Sequence, residues 1–351
     1  MSKQKVLCVV AGKSGGHIIP GITHAQNFIE HNPEYKVLLF STDTSLDRTI
    51  TNFYTFISFY VPLTLTNFPR SRLLGYPLFV GQFIKAFFKS LKELRHLRPE
   101  KIVSMGGYVS FPVCIAGWLL RIPITVYELN AIPGRAVQWL APLSTKVLVC
   151  FDQACSFFAS KKVEITPYPI RFKKKELVGK AQACSILGLD PERKTLLLLG
   201  GSQGSRFLNM VCSKFITNSQ YLHSSIQVIH QTGSSDIKSV KKAYENSPFP
   251  VIVFDYRHDI QLCYEAADVV IARAGAGTLF ELVFFSKSAL IVPLESATTS
   301  HQIDNAHAIK LQRPDLFYVL SQKAIEQDPQ EFYAFLVSYL SGQQKESSSR
   351  S

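Results

Sequence analysis

The stretch DVVIARAGAGTLFELVFFSKSALIVPLESATTSHQIDN, residues 268–305, decides how the chain is read. Residues 269–272 are an apolar run of buried-strand type, Arg273-Ala274-Gly275-Ala276-Gly277 is a turn of small residues, and residues 278–285 take up helical spacing. Such a turn lets a ligand approach the backbone where the free N–H groups and the positive dipole end of a helix meet, which suits a phosphate. Glu281 follows about one helical turn later, within reach of ribose hydroxyls. A second strand at 289–293 feeds a polar loop and His301-Gln302-Ile303-Asp304-Asn305, where His301, Gln302 and Asn305 share a helix face suited to gripping a sugar. An ordinary βαβ unit with polar helix caps carries the same local pattern, so the rest of the chain has to decide.

At 351 residues the chain has room for two domains, and 46% hydrophobic with 18% charged residues describes a globular protein. The net charge of +12 favours anionic partners: nucleic acid, a phosphorylated substrate or an acidic membrane surface. No RNP, zinc-finger or helix-turn-helix pattern points to nucleic acid, which is not expected as a partner. Seven cysteines, odd in number and without CxxC pairing, read as buried thiols of a reducing compartment. The apolar run 6–11 is too short for a signal peptide, and the run 109–120 is broken by Ser110, Pro112 and Gly117, so a cytoplasmic protein without membrane spans is expected.

Taken in order, strands are expected at 6–10, 36–41, 55–60, 101–105, 122–127, 145–150 and 163–166. The first opens into Gly12-Lys13-Ser14-Gly15-Gly16-His17; Walker A would need a glycine at 7, where Leu7 stands. What remains is a glycine turn carrying His17 at a helix start, where the dipole favours a neutral imidazole able to accept a proton. Residues 77–97 predict an amphipathic helix, with Lys85, Lys89, Lys92 and His96 on one stripe and Val80, Phe83, Phe87, Leu91 and Leu94 opposite. Phe79, Phe83, Ile84, Phe87 and Phe88 exceed one packing face and are flanked by Arg70, Arg72, Lys85 and Lys89, which suits an anionic bilayer as well as a sheet. Pro167-Tyr168-Pro169 marks the domain boundary, with Arg171 just beyond. The second half repeats the plan, 196–199 leading into Gly200-Gly201-Ser202-Gln203-Gly204-Ser205, with further strands at 226–230, 251–254 and 317–320. The expected domains are 1–168 and 169–325, followed by a terminal helix within 326–342 and a disordered tail at 343–351.

These turns together resemble the MurG family of GT-B glycosyltransferases, over about residues 6–305. The resemblance is carried by GKSGGHIIP (12–20), MGGYVSFP (105–112), YELNAIPG (127–134), GGSQGSRFLN (200–209), ARAGAGTLFEL (272–282) and SHQIDNA (300–306). Lys13, Ser14, Tyr127, Leu129, Pro167-Tyr168, Ala274 and Ser300 depart from the usual family residues. The resemblance implies an α/β fold of two Rossmann-like domains facing across a cleft, closing on their substrates. It implies transfer of N-acetylglucosamine (GlcNAc) from UDP-GlcNAc to the muramyl 4-hydroxyl of lipid I, undecaprenyl-pyrophosphoryl-MurNAc-pentapeptide, in peptidoglycan synthesis on the cytoplasmic face of the bacterial inner membrane.

For the donor, the resemblance implies Glu281 on the ribose, Ser202 and its turn on the diphosphate, Gln302 and Asn305 with His301 on the GlcNAc, and Tyr256 and Arg257 beside the uracil. Ser14, Gly15, Gly16, Asn130, Arg171 and Ala276 complete the donor set. On the acceptor side stand His17, Tyr108, Ser110, Glu128 and Asn130, with His17 as general base and Glu128 as alternative base or orienter. Phe79, Phe83, Phe87, Lys85 and Lys89 would seat the first domain on an anionic membrane. No Asp-x-Asp motif occurs, so no metal or other cofactor is expected, and helix N-termini with Ser202 and Arg171 or Arg273 would steady the diphosphate. A UDP-GlcNAc 2-epimerase, another lipid glycosyltransferase of the same fold, or a non-catalytic nucleotide-sugar or lipid-binding protein stays open.

Overall fold

Strands buried on both faces read as unbroken apolar runs, and such runs assemble parallel sheets covered by helices. A computed structural model describes residues 4–12, 14–66, 75–159, 162–201, 204–295 and 301–340. The chain divides into two compact units, Met1–Arg171 and Phe172–Ser351, just beyond the proline pair that marks the expected boundary.

In the first unit the order is β1 (Lys5–Val10), α1 (Gly15–His31), β2 (Tyr35–Thr42), α2 (Ser45–Thr51), β3 (Ile57–Leu63), α3 (Gly75–Leu97), β4 (Lys101–Ser104), α4 (Ser110–Leu119), β5 (Ile124–Glu128), α5 (Arg135–Leu140), β6 (Lys146–Val149) and β7 (Val163–Ile165). All pairings are parallel, in the spatial order β3-β2-β1-β4-β5-β6-β7. The order reverses between β1 and β4, and ligands of open parallel sheets bind outside the carboxyl ends of the strands at such a point. There α1 lies close on the sheet, because a Cβ at Gly21 would meet the Ala11 Cβ at 2.6 Å.

The second unit runs α6 (Lys180–Leu187), β8 (Lys194–Leu199), α7 (Arg206–Asn218), β9 (Ile226–Gln231), α8 (Ile237–Ala243), β10 (Val251–Phe254), α9 (Ile260–Ala266), β11 (Val269–Ala272), α10 (Ala276–Phe284), β12 (Ser288–Ile291), α11 (His301–Gln312), β13 (Phe317–Val319), α12 (Gln322–Gln327) and α13 (Gln330–Leu340). Its parallel sheet has the order β10-β9-β8-β11-β12-β13, reversing between β8 and β11. The terminal helix is not a separate piece. Phe332, Phe335, Leu336 and Leu340 of α13 are buried in the core formed by Leu196, Val228, Ile271 and Leu290. The tail expected to be disordered lies outside the described residues.

The long helix α3 turns its faces differently from the sequence expectation. Phe83, Phe87 and Leu91 pack against the first core, while Val80, placed with them above, is 50% exposed. Phe79 is half-buried, 6.4 Å from Phe83 between ring centroids. The apolar groups that α3 presents to solvent are Leu78, Val80, Ile84 and Phe88, with Lys85 and Lys89 exposed among them. Alternate helix faces are phased by the core beneath, and the phenylalanines that reach the core are unavailable to a bilayer. Among the described residues no helix is long and apolar enough to cross a membrane. Arg70 and Arg72 lie outside the described residues.

Candidate active site

In the first unit, β1, β4 and β5 are neighbours, so the segments that follow them lie side by side at one sheet edge. After β1, Ser14 takes the N-cap position of α1 without a side-chain cap bond, and its Oγ lies 3.1 Å from His17 Nδ1. If Nδ1 carries the proton and donates to Ser14, Nε2 keeps its lone pair, the form a general base requires. Gly15 is buried and Gly16 exposed; Lys13 lies outside the described residues. After β4, Gly106 and Gly107 adopt left-handed φ of 78° and 77°, a conformation that glycine takes at little cost. Tyr108 is half-buried and donates its hydroxyl to the Leu65 carbonyl at 3.1 Å.

Ser110, expected on the acceptor side, and Glu128, expected as alternative base or orienter of His17, are both buried and held by protein partners. Ser110 is fully buried, accepts from Ser104 at 2.7 Å and donates to the Gly106 carbonyl at 2.6 Å, pinning the glycine turn. Glu128 is 1% exposed at the end of β5. Its Oε1 accepts from the Asn130 backbone N–H at 2.8 Å and from Asn130 Nδ2 at 3.1 Å, and its Oε2 from Gly134 N–H at 2.9 Å. Burial pushes its carboxyl up to about 7 against the pull of those N–H donors. Through these bonds the carboxyl shapes its own loop and holds Asn130.

In the second unit, β8, β11 and β12 are neighbours and bring the corresponding segments together. After β8, Gly204 (φ 78°) lies so close to the Thr232 carbonyl that a Cβ there would stand 2.1 Å from the oxygen. Asn209 Nδ2 holds that same carbonyl at 3.0 Å. Asn209 has two further polar partners: its Oδ1 lies 3.0 Å from His230 Nε2, and its Nδ2 donates to Asp236 Oδ2 at 3.0 Å. Burial lowers the His230 pKa to about 3. Ser205 caps α7, accepting from Leu208 N–H at 3.4 Å. Ser202, expected on the diphosphate, lies outside the described residues.

After β11, Arg273 is a clamp and not an exposed anion ligand. It is 6% exposed, and its guanidinium donates to Ser205 Oγ at 2.9 Å, to the Val292 and Pro293 carbonyls at 3.1 Å each, and to Gln322 Oε1 at 2.8 Å. Burial lowers its pKa to about 10, so it stays charged at neutral pH. Gly275 has an ordinary φ of −66°, and a Cβ on it would meet only Thr278 Oγ1, at 3.9 Å. What glycine supplies there is room in front of α10, whose first turn has no side-chain cap and begins at Ala276. Glu281, on the same helix, is half-buried and accepts from the Tyr264 hydroxyl at 2.8 Å.

The remaining donor-side residues separate by burial. Gln302 accepts from Leu294 N–H at 2.9 Å at the start of α11. Asn305 is 1% exposed, its Nδ2 3.4 Å from the Ala274 carbonyl of the β11–α10 turn. His301 has a buried Nδ1 without a hydrogen-bond partner among the described residues. Arg257 is held in a bidentate pair with Asp259 at 2.7 and 2.8 Å, while Tyr256 is 37% exposed. Arg171, the last residue of the first unit, is half-buried. Tyr264, Ser205, Asn209 and Gln322 were not singled out by sequence. Only Ser205 had a local signal, a serine immediately before a helical run.

The chain matches the Glycosyltransferase family 28 N-terminal domain over residues 7–149 and the Glycosyltransferase family 28 C-terminal domain over residues 195–328. It is 31% identical over 303 residues to a UDP-N-acetylglucosamine–N-acetylmuramyl-(pentapeptide) pyrophosphoryl-undecaprenol N-acetylglucosamine transferase of Thermodesulfovibrio yellowstonii, covering 86% of this chain and 81% of the relative. Among solved structures it is similar to MurG of Acinetobacter baumannii, with a TM-score of 0.69 at 22% identity over 95% of this chain and 91% of the other. A UDP-GlcNAc 2-epimerase of Neisseria meningitidis bound to UDP-GlcNAc shares the fold with a TM-score of 0.65 at 13% identity, over 97% of this chain and 95% of the other.

Proposed function

The chain belongs to the MurG family of N-acetylglucosamine transferases, and from that premise we propose that it moves GlcNAc from UDP-GlcNAc to the muramyl 4-hydroxyl of lipid I. The observation that carries the donor half is α10: an uncapped helix start with space before it and Glu281 on the same helix. The helix start suits the diphosphate and the carboxylate suits ribose hydroxyls. Gln302, at the start of α11, supplies polar atoms toward the sugar.

In the reaction the acceptor oxygen attacks the anomeric carbon as the bond to the β-phosphate oxygen breaks. The acceptor's proton passes to His17 Nε2, UDP leaves with the bonding pair, and the configuration at the anomeric carbon inverts. Charge that builds on the leaving diphosphate is met by the α10 start, while positive charge on the sugar makes the transition state oxocarbenium-like. Ser14 Oγ, 3.1 Å from His17 Nδ1, can accept the Nδ1 proton in the tautomer that leaves Nε2 basic. Glu128 keeps Asn130 and the loop to Gly134 in place at the end of β5.

A lipid acceptor also requires access to a membrane surface. The first unit holds nineteen Lys and Arg against nine Asp and Glu, most of the chain's +12, and it is also the unit in which Ile84 and Phe88 are exposed beside Lys85 and Lys89. This supports peripheral attachment of that unit to an anionic bilayer at the cytoplasmic face of the inner membrane. Mass and NMR analysis of the product from UDP-GlcNAc and a short-chain lipid I analogue tests the reaction. The expected product gains one N-acetylhexosamine in β-linkage; an α-linkage, or free N-acetylmannosamine, would reject it.

A further inference from the structure

The reaction outlined above uses Glu281 and leaves its neighbour unexplained. Tyr264 of α9 is 2% exposed, its ring stacks on Phe285 with centroids 4.9 Å apart and planes at 12°, and Phe172 meets it at 6.2 Å. Those ring contacts would serve a phenylalanine equally well. What phenylalanine lacks is the hydroxyl, which donates to Glu281 Oε2 at 2.8 Å. The terminal torsion of a glutamate is broad, so a half-buried carboxylate on a helix has no single orientation of its own. A donor held by a buried, stacked ring supplies one, and a carboxylate has lone pairs enough to accept from a ligand as well.

We propose that Tyr264 is a positioning residue for the donor: it orients the Glu281 carboxylate toward the ribose of a uridine nucleotide and so sets the preference for ribo- over deoxyribonucleotides. This rests on Glu281 being the ribose ligand. Orientation fixed before binding need not be imposed at binding, and the gain falls on the ligand whose hydroxyl meets the carboxylate. Loss of the Tyr264 hydroxyl therefore acts on affinity for the donor and leaves the chemical step alone.

Titration calorimetry of the full chain with UDP, 2′-deoxy-UDP and 3′-deoxy-UDP tests this in wild type, Tyr264→Phe, Glu281→Gln and the double variant. Wild type is expected to favour UDP over at least one deoxy analogue by about tenfold, the size of one hydrogen bond to a charged group. Tyr264→Phe is expected to weaken UDP by about three- to tenfold, change that analogue little, and add no further loss to Glu281→Gln. In turnover it raises KM for UDP-GlcNAc and keeps kcat. An equal loss for all three nucleotides would mean a packing role and overturn the proposal. If Glu281→Gln abolishes the preference and Tyr264→Phe retains it, the proposal alone fails; if Glu281→Gln retains the preference, the ribose assignment fails first. Should Tyr264→Phe not fold, Phe285→Leu keeps the hydroxyl and loosens its ring: a reduced preference is expected, and an unchanged one overturns the proposal.

Discussion

Replacing Arg273 by lysine separates a clamp from a phosphate ligand. The guanidinium serves four acceptors on three segments: Ser205 at the start of α7, the Val292 and Pro293 carbonyls beyond β12, and Gln322 of α12. A lysine ammonium has three donors and no planar fork, so at least one buried acceptor loses its partner. Each such loss costs about 1–3 kcal/mol, and with the distorted geometry of the rest the expected loss of stability is about 2–4 kcal/mol. A phosphate ligand would behave otherwise, because lysine keeps the charge and a solvated anion adapts to it. Both tryptophans, Trp118 and Trp139, lie in the first unit, so urea unfolding of the second is best followed by far-UV circular dichroism, with UDP affinity measured on the folded protein. A stability within about 0.5 kcal/mol of wild type, the size of an ordinary surface change, together with a large loss of UDP affinity would refute the clamp.

Glu128→Gln puts an amide nitrogen against either Gly134 N–H or the Asn130 donors, so it is expected to destabilise by about 1–3 kcal/mol in urea melts. The Glu128 carboxyl is raised to about 7, so the native state holds its proton more tightly than the unfolded chain. Its contribution to stability is therefore full below the ordinary glutamate range and falls as pH rises toward 7; the glutamine variant should lack that slope. At Gly204, alanine meets both an unfavourable left-handed φ and the Thr232 carbonyl, so Gly204→Ala is expected to lower UDP affinity about tenfold or more, read by calorimetry. Ile84→Asp with Phe88→Asp should cut sedimentation with anionic vesicles by at least about tenfold at unchanged solution stability, because both side chains are exposed.

The parallel strands could be read from sequence because burial on both faces leaves unbroken apolar runs, as at Val6–Val10 within β1, and in β11. The glycine turns could be read because small residues between such a run and a helical segment have few other uses. Side-chain roles within those turns were harder to read, since they depend on partners far along the chain. Arg273 looks like an anion ligand in a turn of alanines and glycines, yet its acceptors lie on three other segments. Asn305 and Ser110 carry polar groups suited to donor and acceptor, and only the packing of α11 and α4 shows that both are buried against protein partners. On α3, Phe83 and Phe88 are alike in composition; the core beneath decides which of them is covered.

The most direct test of the central claim is release of UDP from UDP-GlcNAc by purified protein in detergent, with and without a short-chain lipid I analogue. Release is expected only when the acceptor is present, abolished in Glu281→Ala and sharply reduced in His17→Ala. Release without acceptor would contradict it in favour of an epimerase or hydrolase, and UDP binding with no release under either condition would make the chain a binding protein.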